Sequence, residues 1–252
     1  GYDQLETESK VLQYRKITTK KGETQYQLIL DKTPFYPEGG GQVGDSGWLI
    51  FGNEKTAVTD TKKENNQHLH WVDHLPSQIG QSLVAKVDEA KRKQTRCNHS
   101  ATHLLHHALR QVLGPHVAQK GSHVDDQKLR FDFSHFGKLT ETELQEVETL
   151  VNRQISAHLP LEENRHKPFQ QAVEEGAIAL FGEKYGEEVR TVRFGDSFEL
   201  CGGTHATNTG EIWYFKILSE SAVAAGIRRI EATTGTSVKN YFLTQEAQLQ
   251  EI

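Results

Sequence analysis

The sequence predicts an α+β fold in two parts: a small N-terminal β-barrel or meander, then a two-layer α/β domain with a mixed or antiparallel sheet. Three observations carry this. Between Val11 and Val87, short β-branched, aromatic and aliphatic runs are separated by Gly, Asn, Asp and Pro clusters. From Asp88 onward one long segment has helical periodicity and stops at Gly114-Pro115. Beyond it, helical and strand-like segments follow one another to Thr233.

In the first part the strand-like runs are Tyr26 to Leu30, Gly47 to Phe51, Leu69 to Val72 and Ser82 to Val87. The long helix carries Lys91, Arg92, Lys93 and Arg96 and then Asn98-His99-Ser100-Ala101-Thr102-His103-Leu104-Leu105. A second helix is expected over Thr140 to His158, with Thr140 as N-cap and Glu143 at the capping-box position. Leu144, Val147, Leu150, Val151 and Ile155 give it one apolar face. A third is expected over Phe169 to Phe181, ended by Gly182. Strands are expected at Lys128 to Phe133, Val189 to Phe194, Trp213 to Leu218 and Arg228 to Thr233. After Thr236 the chain turns polar and helix-prone. The expected division is residues 1–90 for the barrel with its glycine-rich loop, 91–235 for the second domain and 236–252 for the start of a helical connector.

With 252 residues and 35% hydrophobic content, the chain can bury a sizeable core. No apolar run reaches the ~18 residues of a membrane span, and no signal segment opens the chain, so a cytoplasmic protein without membrane contact is expected. A formal net charge of −5 excludes nucleic-acid binding by bulk charge alone, and any RNA contact must be local. The absence of Met is read as the mark of a piece cut from a longer chain. The two cysteines, Cys97 and Cys201, are expected as free thiols or metal ligands rather than a disulfide.

His99 and His103 stand four apart on the long helix, so both imidazoles share a face one turn apart. Cys201 and His205 repeat that spacing in Cys201-Gly202-Gly203-Thr204-His205, where the two glycines are expected to let the chain turn tightly. A thiolate with three imidazoles is a ligand set for one zinc ion. A zincin-type protease is excluded, because Ser100 stands where that motif places a Glu general base. A closed structural zinc site, with all four side chains as ligands, is the alternative.

These residues, together with Gln119-Lys120-Gly121-Ser122, Arg130-Phe131-Asp132-Phe133, Leu180-Phe181-Gly182-Glu183-Lys184-Tyr185 and Glu199-Leu200 before the Cys-Gly-Gly-Thr-His segment, carry a resemblance. In this order they resemble the editing domain of bacterial alanyl-tRNA synthetases and their free-standing trans-editing relatives. Phe35-Tyr36-Pro37-Glu38-Gly39-Gly40-Gly41-Gln42-Val43-Gly44-Asp45 resembles the family's glycine-rich signature. Threonyl-tRNA synthetases carry a related editing fold, and the glycine-rich loop with Cys-Gly-Gly-Thr-His favours the alanyl branch. The similarity runs from about Gly1 to Gly235.

The resemblance implies hydrolysis of the ester that joins serine or glycine to the 3′ end of mischarged tRNA(Ala), within a synthetase whose other domains are partners. It implies His99, His103, Cys201 and His205 as the metal ligands. The ion would polarise the carbonyl, activate a water or hold the substrate's α-amino group, and the first two need an open coordination position. Size alone cannot spare alanine, so hydrogen bonding to the serine hydroxyl is required, with Thr102 and Gln119 as candidates. Asp132 is a third candidate in the catalytic set: it orients a ligand imidazole or pairs with Arg130. Gly40, Gly41 and Gln42 are candidates for presenting backbone N–H groups to a phosphate or oxyanion near the pocket, or simply close a hairpin. Lys120 and Arg96, with Lys91, Arg92, Lys93, Lys184, Arg228 and Arg229, are candidate phosphate contacts. His106, His107, His116, His123 and His135 are expected at the surface or in packing. A free-standing trans-editing protein and a non-catalytic zinc-stabilised tRNA-binding module are the alternatives.

Overall fold

The computed structural model describes residues 1–19, 22–179 and 185–250. It divides into two compact units, Gly1–Lys93 and Gln94–Ile252.

The first unit contains β1 (Glu6–Thr18), β2 (Thr24–Leu30), β3 (Gly47–Phe51), β4 (Glu54–Val58), β5 (Asp60–Glu64), β6 (Gln67–Val72) and β7 (Ser82–Val87). All pairings are antiparallel, in the order β4-β3-β7-β1-β2-β6-β5. Among the described residues no pairing joins β4 to β5, so the structure gives an antiparallel sheet and, of the expected barrel or meander, does not form a closed barrel. The alternation of β7 buries Leu83, Ala85 and Val87, which meet Leu49 and Phe51 of β3 and Leu28 and Leu30 of β2 in one core. Sequence pattern misses β1, β4 and β5. The first half of β1 pairs with β7 and its second half with β2, so each half is flanked on one side only and most of its residues stay exposed.

The loop between β2 and β3 holds the glycine-rich signature, and backbone demands account for much of it. Gly39 and Gln42 exchange backbone hydrogen bonds (3.1 and 3.0 Å) across a two-residue turn in which Gly40 and Gly41 have φ of 58° and 84°. At Gly44 a Cβ would stand 1.9 Å from the Thr61 carbonyl oxygen. Asp45 accepts from the Tyr36 backbone N–H (2.6 Å) and is paired with Arg92, whose guanidinium also donates to the carbonyls of Pro34 (3.0 Å) and Gly1 (2.8 Å). This buried pairing corrects the expectation that Arg92 contacts phosphate: its side chain is 1% exposed and its donors are spent inside the unit.

Helix α1 (Glu89–Leu113) begins before the unit boundary and continues in the second unit. It stops where Gly114 takes a φ of 112°. The second unit then has β8 (Gln119–Val124), β9 (Leu129–Ser134), α2 (Glu141–Ser156), β10 (Glu162–Pro168), α3 (Phe169–Glu174), β11 (Glu188–Phe194), β12 (Ser197–Leu200), β13 (Phe215–Ala224), β14 (Ile227–Thr234) and α4 (Gly235–Gln250). Two antiparallel sheets result, β13-β14-β9-β8 and β10-β11-β12. Cys97, Ala101, Leu104, Leu105, Ala108 and Leu109 of α1 pack with Phe131 and Phe133 of β9, Val147 and Val151 of α2 and Ile230 of β14 in the main core. The α2 capping box forms as the sequence predicts, with Thr140 and Glu143 satisfying each other's backbone N–H.

Two expectations change. The third helix ends at Glu174, not near Gly182: Gly176 turns left-handed at φ 90°, and Ile178 then joins the edge of the sheet as a bridge to Glu199. The rest of that predicted segment, residues 180–184, lies outside the described residues. The strand expected from Trp213 starts at Phe215, because Trp213 (φ 66°, ψ −63°) closes a tight turn in which the Tyr214 N–H donates to Ile212 O at 2.9 Å. Among the described residues no helix is long and apolar enough to cross a membrane.

Candidate metal centre

Two elements of the second unit meet at the cluster. Helix α1 presents His99 and His103 from one face, and the segment after β12 supplies Cys201 and His205. One ligand atom from each of the four lies within 4.8 Å of all the others. Cys201 Sγ is 3.3 Å from His205 Nε2 and 3.5 Å from His99 Nε2. The His205 ring centroid is 4.4 Å from that of His99 and 4.6 Å from that of His103. The three imidazoles are buried and Cys201 is half-buried.

Glycine flexibility is not what turns the Cys201–His205 segment at Gly202, which has no left-handed φ and open space where a Cβ would stand. Arg190 of β11 shapes it instead, donating from Nη1 to the carbonyls of Cys201 (2.9 Å) and Gly203 (2.7 Å) while its Nε is held by Glu163 at 2.9 Å. The Gly203 N–H points at the Cys201 sulfur, 3.3 Å away.

Burial, reinforced by neighbouring imidazoles and the Arg190 charge, holds His99 and His205 well below the usual histidine range. Burial also lowers His103, against an opposing pull from Glu199. Neutral imidazoles gathered around one thiol form a donor set that fits zinc, since only unprotonated nitrogen and sulfur ligate. A shell of polar partners surrounds them. His205 Nδ1 is 3.2 Å from Ser100 Oγ, which also accepts from the Ala206 N–H at 3.0 Å. Glu199 is buried, which by itself would raise its carboxyl, but His103 and His106 hold it below the ordinary range.

Other predicted residues fall as follows. Thr102 is buried, and its hydroxyl donates to the Asn98 carbonyl one turn back (2.9 Å), leaving it only lone pairs to offer. Gln119 is half-buried at the start of β8, directly opposite Phe133, and therefore on the face of the sheet that carries the phenyl rings. Asp132 is corrected as an imidazole-orienting group. Strand alternation turns it away from the Phe131 face that meets His106, and both its oxygens bind Arg229 (2.6 and 2.8 Å), with Arg130 Nε at 3.8 Å. Glu199 faces the imidazoles instead.

Lys120 is exposed and Arg96 half-buried. Lys91 and Lys93 are exposed, whereas Arg228 pairs with Glu220 and Arg229 with Asp132. Gly40 stands at the exposed tip of its turn, Gly41 is half-buried and Gln42 is buried. Four of the histidines expected at the surface or in packing have polar partners: His106 is buried against Glu199, His123 Nε2 lies 3.4 Å from Asp125 Oδ2, and His116 and His135 hydrogen-bond each other at 2.9 Å. Sequence reasoning missed Ser100, Arg190, Glu199 and His106 as neighbours of the ligands. His106 carried a readable signal, seven residues after His99 and so on the same helix face.

Residues 189–231 match the family model for the threonyl and alanyl tRNA synthetase second additional domain. Residues 1–91 match the model for class II (A) tRNA synthetases. Alanine–tRNA ligases from Christiangramia forsetii, Flavobacterium psychrophilum and Parabacteroides distasonis are 55%, 54% and 53% identical to this chain over 253, 261 and 252 residues. Each alignment takes in 100% of this chain, which spans 29% of the length of each relative. The sheets, the four-donor cluster and the two family models together define a segment of the class II synthetase lineage that carries the second additional domain. The chain belongs to the alanyl-tRNA synthetase family.

Proposed function

We propose that this chain is the editing part of an alanyl-tRNA synthetase, a cytoplasmic aminoacyl-ester hydrolase that removes serine or glycine from mischarged tRNA(Ala). The observation that carries the reading is the cluster of His99, His103, Cys201 and His205, of which Cys201 and His205 lie within residues 189–231 matched to the second additional domain. A zinc ion held there would supply a Lewis-acidic centre for the ester carbonyl, a water or the substrate's α-amino group.

The chain's own residues do the rest. Arg190 fixes the carbonyls of the Cys201 segment and so sets where the thiolate points. Ser100 holds the His205 ring by Nδ1. Thr102 and Gln119 remain the pair assigned to the serine hydroxyl: Thr102 has lone pairs but no free proton, so it accepts, and the Gln119 amide can accept or donate. An alanyl ester would leave these groups unpaired, the kind of defect that gives discrimination of up to about 10⁴–10⁵-fold. Glycine differs from alanine by one methyl, worth about 1–3 kcal/mol. Lys120 and Arg96, with the exposed Gly40 tip, are assigned to the RNA backbone, and the remaining synthetase domains are the expected partners.

Hydrolysis of seryl-, glycyl- and alanyl-tRNA(Ala), measured side by side, tests this. The seryl ester should be cleaved fastest relative to alanyl, with a smaller advantage for glycyl. Equal rates on all three, or a larger preference for glycyl over seryl, would reject the hydrogen-bonding account of selectivity. One observation favours a second reading: four protein donors can close a tetrahedral site and leave a zinc-stabilised tRNA-binding module without catalysis. Chelation separates the two, since a structural ion is lost together with the fold and a catalytic one with the activity first.

A further inference from the structure

Glu199 is a buried carboxylate set between two imidazoles of α1. Its Oε1 lies 2.9 Å from His106 Nδ1 and its Oε2 lies 3.7 Å from His103 Nδ1. His103 Nδ1 is itself buried and makes no hydrogen bond. Strand geometry explains why this carboxylate is there. Glu199 and Cys201 are two residues apart along an extended segment, so their side chains leave the chain on the same side, while Leu200 between them packs into a separate cluster with Phe198 and Val189. His106 follows His103 by three positions and His99 by seven, so all three share one face of the helix.

We propose that Glu199, anchored by His106, is a positioning residue for the ligand His103. When Oε2 closes to an ordinary ~2.9 Å, it accepts from His103 Nδ1–H and fixes the tautomer whose Nε2 lone pair points into the cluster. The bond to His106 holds the other oxygen, so the carboxylate cannot swing away. The negative charge of a carboxylate beside the far N–H also makes the ligating nitrogen more basic. His103 differs in this from His205, whose far nitrogen meets the uncharged Ser100 hydroxyl. The proposal rests on the reading that the four residues hold a metal ion.

The test is zinc affinity of the full chain, by competition with a chelator, for wild type, Glu199→Gln and His106→Gln, with the visible spectrum of each protein saturated with cobalt(II). Glu199→Gln should bind zinc about 10- to 100-fold more weakly and show shifted cobalt ligand-field bands. His106→Gln, which keeps the carboxylate but frees its anchor, should lose less. Wild-type affinity and an unchanged spectrum in Glu199→Gln overturn the proposal. If Glu199→Gln does not fold, unaltered affinity in His106→Gln overturns it equally. A wild-type chain that binds no zinc would instead sink the metal reading itself, and the two failures are distinct.

Discussion

His70 has no part in the metal cluster, yet it is the side chain whose surroundings most directly tie acid stability to a single ring. It is fully buried in the first unit, with Nδ1 3.0 Å from Leu28 O and Nε2 2.7 Å from Thr33 Oγ1. Burial pushes its pKa down to about 4, against a partial offset from the Leu28 carbonyl. The unfolded ring, with the ordinary value of 6.5, takes up its proton first as pH falls. The stabilisation is therefore complete above pH 6.5 and is lost progressively between 6.5 and about 4, amounting to about 3 kcal/mol at ~1.4 kcal/mol per unit. An NMR titration of the His70 ring in the folded chain checks this, and a midpoint near 6.5 would refute it. The residue scale is also where sequence reading was least complete. His99, His103, Cys201 and His205 were legible because helical and loop spacing alone brings each pair together. Glu199, Ser100 and Arg190 were not, because their roles depend on β11, β12 and α1 meeting, a long-range arrangement that local spacing does not encode.

At the scale of elements, legibility follows pattern strength. Helix α2 was readable from end to end because its apolar face and both members of its capping box are local signals. Thr140 Oγ1 accepts from the Glu143 N–H at 3.2 Å, and the Glu143 carboxylate accepts from the Thr140 N–H at 2.7 Å. Thr140→Ala should destabilise the chain by about 1 kcal/mol, read as a lowered midpoint in urea with unchanged slope. A shift indistinguishable from zero would show that tertiary packing alone sets the start of α2. Strands were harder. β7 alternates cleanly and was placed to the residue, whereas β10 is a mostly exposed run of charged and polar residues that reads as loop until β11 pairs with it. Asp132 illustrates the same limit: alternation put it on one face with Arg130, which lies 3.8 Å away, but only the pairing of β9 with β14 brings in Arg229, which binds both its oxygens.

At the scale of the whole molecule, a net charge of −5 leaves RNA binding to local groups. The structure narrows those candidates, since Arg92 is committed to Asp45, Arg228 to Glu220 and Arg229 to Asp132. The family assignment was readable from ordered motifs spread along the chain, whereas the expected N-terminal barrel is not formed among the described residues, because closure depends on which edges pair and strand pattern alone does not specify that. The central claim, that one buried four-donor centre is the heart of an editing esterase, is tested most directly by seryl-tRNA(Ala) hydrolysis in wild type and Cys201→Ala, with zinc measured on both. The account predicts about one zinc per wild-type chain, as expected of a single four-ligand site. In Cys201→Ala it predicts a marked fall in both zinc and hydrolysis. Hydrolysis by Cys201→Ala at the wild-type rate, with its zinc gone, would contradict it.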